Sequence, residues 1–68
     1  MEIEVTLLPQ NIARKQEIPP MATIEDLIKI MRLKPDTVIA MRNNTPIPID
    51  EKIKEGDKLT IIQVASGG

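Results

Sequence analysis

The sequence predicts an α+β domain: a mixed sheet of four to five strands with one helix packed on one of its faces. Three observations lead there. Residues 23–33 carry the only clear helical spacing, apolar runs with strand character flank them on both sides, and 68 residues leave room for a single domain. A chain of this length buries only about 60% of the surface its unfolded form exposes, so one sheet and one helix are near the limit of what it can build.

Taken in order, residues 2–7 alternate polar and apolar, giving a strand with Ile3, Val5 and Leu7 on its buried face. Pro9, Gln10 and Asn11 supply a turn. Residues 12–18 return as a second strand, whose Arg14, Lys15, Gln16 and Glu17 suit an exposed edge protected by charge. Pro19-Pro20 ends it. Thr23 then caps a helix through the N–H of Asp26, and Glu25 and Asp26 place negative charge at the positive end of the helix dipole. Ile24, Leu27, Ile28 and Met31 form one apolar face, and Pro35 predicts a stop near Leu33. Residues 37–42 are nearly continuously apolar, as in an inner strand. Asn43-Asn44 tolerates the positive φ of a tight turn, and the prolines around Ile47 make residues 47–49 an edge at best. Residues 50–54 predict one turn of helix, Gly56-Asp57 a turn, and residues 59–64 a final strand placed centrally because both its faces are apolar.

The order β-β-α-β-β-β has few compact solutions. Placing the last strand beside the first, in parallel, gives a β-grasp arrangement over residues 1–64, with residues 65–68 as a flexible C-terminal tail.

Composition narrows the function. Without cysteine or histidine there is no disulfide framework, no thiolate or imidazole metal site and no ordinary general base, so neither a catalytic nor a metal-binding residue is assigned. Without Phe, Tyr or Trp there is no stacking platform for bases, and nine basic residues are scattered among ten acidic ones, which argues against nucleic acid. No apolar run approaches the roughly 20 residues of a membrane span. The expectation is a soluble cytoplasmic protein, monomeric when free. Glu25-Asp26 and Asp50-Glu51 read as helix-start charge and a solvated turn, and Met21, Met31 and Met41 as core filler.

The chain ends in Gly67-Gly68 after a strand that fades into Ala65-Ser66. Together with the helix before Pro35, the strand running into Asn43 and the Gly56-Asp57 turn, this ending resembles the ubiquitin-like sulfur carriers: ThiS of thiamine biosynthesis, MoaD of molybdopterin synthesis and the small archaeal modifiers. The Gln63-Val64 pair is nearer ThiS than MoaD. The resemblance implies that an E1-like enzyme of the ThiF or MoeB type uses Mg-ATP to adenylate the Gly68 carboxylate. Sulfur from a partner's persulfide then displaces AMP, leaving a thiocarboxylate for an acceptor such as a thiazole synthase. A MoaD-like synthase subunit, or a modifier joined through Gly68 to target lysines, would begin with the same activation. Gly67, Ser66 and Ala65 would give Gly68 access to a narrow channel, since glycine lacks the Cβ that would clash there.

Docking would use the sheet face away from the helix. Alternation in the last strand turns Leu59 and Ile61 toward the helix and Thr60, Ile62 and Val64 outward. If Ile39 and Met41 are core, Val38, Ala40 and Arg42 share the outer face, completing an apolar partner-binding patch steered by Arg42 and Lys58.

Overall fold

The computed structural model describes residues 1–64. Its five-stranded sheet has the order β2-β1-β5-β3-β4 and is covered on one face by a single helix. β1 (Glu2–Leu8) and β2 (Ile12–Glu17) form an antiparallel hairpin with β2 at the edge. β5 (Lys58–Gln63) is central, parallel to β1 and antiparallel to β3 (Val38–Arg42). The mixed sheet and the central final strand are those the sequence predicts.

Helix α1 spans Ile24–Ile30, and its N-terminus is fully served. The Thr23 hydroxyl accepts the Asp26 N–H, while the Asp26 carboxylate accepts the Thr23 N–H at 3.0 Å, completing a capping box. The next two free donors reach another segment: Ile24 N–H bonds the Glu51 carbonyl at 2.9 Å, and Glu25 N–H bonds that of Ile49 at 2.8 Å. This is why residues 50–54 do not form the expected helical turn. Their backbone is drawn out beside the helix start, bridging Thr23 to Lys52, and Ile53 N–H bonds back to Ala22.

The helix also ends earlier than Pro35 requires. Arg32 takes a left-handed φ of 61°, its N–H bonds the Lys29 carbonyl, and Leu33 N–H bonds that of Ile28. That pair of bonds is a Schellman closure, which turns Leu33 back against the core. Pro35 instead opens a short 3₁₀ turn, Pro35–Thr37, leading into β3.

Asn43 and Asn44, at φ 54° and 64°, make the two-residue turn from β3 into β4 (Thr45–Ile47). This turn pairs Arg42 with Thr45, so the edge strand begins two residues before the predicted 47–49 segment. Pro46 fits because its nitrogen lies on the unpaired edge.

The core lies between helix and sheet: Ile3, Val5, Ile24, Leu27, Ile28, Leu59 and Ile61 are each at most 2% exposed, with Ile18, Ala22 and Ile53 closing its margins. Met31 packs against this core, Met41 is half-buried on the opposite sheet face, and Met21 is 72% exposed at φ 68°. Met21 is therefore not core filler: Ala22, one residue on, takes the buried position.

Candidate functional site: the outer sheet face and the root of the tail

Residues opposed across a sheet share a face, so the register defines the surface turned away from the helix. Leu8, Ile62 and Ile39 form one row across β1, β5 and β3; Thr6, Thr60 and Met41 form the next; Glu4 and Lys58 lie beyond. The apolar row sits where β5 ends and the charged row where it begins. Ile39 is 43% exposed and Val64, just past β5, is 44% exposed.

Thr60 and Ile62 lie on this face, half-buried, opposite in sense to the buried Leu59 and Ile61. Val38 and Ala40 do not, which corrects their expected placement: they are 9% and 4% exposed and belong to the core. The reason is register. Ala40 opposes the fully buried Ile61, whereas Ile39 opposes Ile62. Val38, Ile39, Ala40 and Met41 are all apolar, so the strand's own period carries no orientation. Ile39, Met41 and Leu8 are thus the surface residues sequence reasoning missed, and only the cross-strand pairing reveals them.

Arg42 is corrected as well. Its side chain, 20% exposed, turns to the helix side, where Nη1 donates to Glu51 at 2.9 Å and Nη2 to Asp57 at 2.9 Å and to the Lys52 carbonyl at 3.0 Å. The bond donated to Glu51 raises the guanidinium's proton affinity, burial opposes it, and Asp57 adds to the rise. Asp57 is fixed in turn by the Lys54 N–H at 2.8 Å. Arg42 is thus the knot tying β3 to the long connection before β5, and the Asp50-Glu51 pair is a solvated turn only at Asp50. Lys58 remains exposed on the outer face beside Glu4.

Where β5 ends, two contacts hold it. Val64 N–H donates to the Thr37 carbonyl at 2.9 Å, and Gln10 Nε2 donates to Gln63 Oε1 at 2.7 Å. The expected access residues Ala65, Ser66 and Gly67 and the reacting Gly68 lie outside the described residues. Among the described residues no three His, Cys, Asp or Glu side chains are grouped to hold a metal ion, and no helix is long and apolar enough to cross a membrane.

Compared with known proteins, residues 1–65 match the family model of small archaeal modifier protein 2. The chain belongs to this family. The fold is that of SAMP1 from Haloferax volcanii, at a TM-score of 0.76 and 18% identity over all of both chains. It is also that of the ubiquitin of Caldiarchaeum subterraneum, at 0.73 and 22% identity, covering 100% of this chain and 98% of that one. A protein of Archaeoglobus fulgidus described only as uncharacterized is 30% identical over 43 residues, 63% of each chain. The β-grasp, ubiquitin-like architecture expected from the residues is therefore the architecture of the family.

Proposed function

We propose that this family member is a carrier activated at its C-terminus, with the Gly68 carboxyl adenylated by an E1-like enzyme using Mg-ATP. The supporting observation is the position of β5: the strand leading to Gly67-Gly68 is the middle of the sheet, and the surface beside its last residues is the apolar row of Leu8, Ile62 and Ile39. A rigid strand delivers the tail while the adjacent face docks the enzyme. A carboxylate resists nucleophiles through its charge and resonance; in adenylation one carboxylate oxygen attacks the α-phosphate of ATP, pyrophosphate leaves, and that oxygen becomes part of a good leaving group, AMP. The chain supplies no acid or base of its own and acts as substrate.

In the first fate of the acyl-adenylate, the outer sulfur of a partner's persulfide displaces AMP to give an acyl disulfide, and a second thiol of the partner cleaves its S–S bond, leaving a Gly68 thiocarboxylate and a disulfide on the partner. That thiocarboxylate donates sulfur in cofactor synthesis, with the thiazole of thiamine as the destination that the Gln63-Val64 tail supports. The second fate is favoured by the description of the family as modifiers: a target lysine attacks the activated carbonyl and forms an isopeptide bond.

Mass spectrometry of the protein isolated from its own host tests both. An intact chain with one oxygen replaced by sulfur supports the carrier. Trypsin cuts after Lys58, so target lysines bearing residues 59–68 as a branch support the modifier. Absence of ATP–pyrophosphate exchange with the host's E1-like enzyme would refute the shared activation step.

A further inference from the structure

β5 loses its neighbour on one side before it ends. Its last pair with β1 is Ile62 with Leu8, and Pro9 has no N–H with which to continue the ladder. Beyond that point a side chain takes over on the β1 side, the Gln10–Gln63 bond of 2.7 Å. On the β3 side, Val64 N–H bonds the Thr37 carbonyl at 2.9 Å. Thr37 is itself anchored, for its N–H at 3.0 Å and its hydroxyl at 2.8 Å both donate to the Lys34 carbonyl. Two segments distant in sequence, the β1–β2 turn and the 3₁₀ turn before β3, thus grip consecutive residues of the strand.

We infer that Gln10 and Thr37 are positioning residues, forming a collar around Gln63 and Val64 that sets the point at which the tail leaves the sheet. The inference rests on the reading of Gly68 as the reacting group. With the collar closed, the four residues beyond Val64 have a reach of at most about 13–14 Å. Opening it releases Val64, because Gln63 stays paired with Val38 in the β3–β5 ladder, so the reach beyond Gln63 is at most about 16–18 Å. Lengthening the reach in that ratio dilutes the carboxylate at the enzyme's active site by about 1.4- to twofold. Because the docking row is untouched, the loss falls on kcat rather than KM.

The test is ATP–pyrophosphate exchange with the host's E1-like enzyme, using wild type, Gln10→Ala, Gln63→Ala, the double variant and Gln10→Glu. Each alanine variant is expected to lower kcat by about 1.4- to twofold at unchanged KM, with no further loss in the double variant. Gln10→Glu should match wild type, because the Gln63 carboxamide can turn its NH₂ toward the carboxylate. Hydrogen exchange at the Val64 amide reads the collar without any enzyme: protection in wild type should fall in both alanine variants while Tm stays unchanged. Wild-type kcat in both alanine variants, additive losses in the double variant, or an unprotected Val64 amide in wild type would each overturn the collar. A protected Val64 amide in a wild type that supports no exchange would refute adenylation of Gly68 and leave the collar standing.

Discussion

Arg42→Met tests whether Arg42 is a docking charge or a structural knot. The substitution keeps most of the aliphatic stem and removes the bonds to Glu51, Asp57 and the Lys52 carbonyl. Removing one partner of a fully buried charged pair costs about 3–5 kcal/mol. Here the exposures, 20% for Arg42, 39% for Glu51 and 15% for Asp57, call for a discount. Glu51 can turn to water and Asp57 keeps the Lys54 N–H, so about 2 kcal/mol is expected. A domain of this size holds roughly 3–10 kcal/mol in all, and at about 4–8 °C per kcal/mol the variant should melt about 8–16 °C lower. Urea unfolding checks this through a lower midpoint at unchanged slope. Coupling in double-mutant cycles should be larger with Asp57→Asn than with Glu51→Gln, because Asp57 is the less exposed partner. A loss below about 0.5 kcal/mol would place Arg42 among ordinary surface charges and refute the reasoning. Folded Arg42→Met should still be activated with wild-type kcat/KM, since its side chain lies on the helix side of the sheet.

Three further outcomes follow from the same geometry. Ile39→Asp and Ile62→Asp should each reduce kcat/KM for activation at least tenfold through KM while the circular dichroism spectrum is kept, whereas Ala40→Asp, placing a carboxylate against Ile61, should unfold the domain. Asp26 is lowered below the ordinary aspartate range first by the Thr23 N–H and then by the Thr23 hydroxyl, with burial opposing. A depressed folded-state value means that the stability it confers is full above the unfolded pKa and is lost as pH falls through the folded one. The gap in urea midpoint between wild type and Asp26→Asn should therefore close under acid, and a gap constant from neutral to strongly acidic pH would contradict the capping box. Arg32→Gly relieves a left-handed φ of 61° at the Schellman position and should stabilise by about 0.5–1 kcal/mol, read as a higher Tm.

The fold was legible because its strongest signals are local and agree with one another. Period-two alternation in β1, the Thr23 cap with its i, i+3, i+4 stripe, and the Asn43-Asn44 turn each specify one element, and few topologies accommodate all of them. What escaped was decided between elements. The orientation of β3 depends on Ala40 meeting Ile61, and a run of four apolar residues, Val38 to Met41, carries no trace of that choice. Residues 50–54 have a composition that suits a helical turn, but the N–H groups of Ile24 and Glu25 claim the carbonyls of Glu51 and of the preceding Ile49. Arg42 looked like a surface cation because its acceptors, Glu51 and Asp57, lie 9 and 15 residues away. The candidate site divides the same way: the diglycine is visible in the sequence alone, whereas its docking row needs the register of three strands.

The two ends of β5 explain how one strand can be both the middle of the core and, under the proposed function, the carrier of the reacting tail. At its start, Asp57 is locked by Arg42 and by the Lys54 N–H, and Arg42 pairs across the sheet with Leu59. Leu59 and Ile61 then bury themselves completely. At its end, burial gives way to two hydrogen bonds, Gln10–Gln63 and Val64–Thr37. Stability is therefore concentrated at the pole away from the reacting group, and the pole beside it is held by contacts that shape the tail's exit and contribute little to folding. Under the proposed function, a partner enzyme would draw the tail into its channel, or open the collar to do so, without disturbing a buried side chain. Such a division is what the proposed function requires, activation in one active site and delivery in another with the same folded surface presented to both.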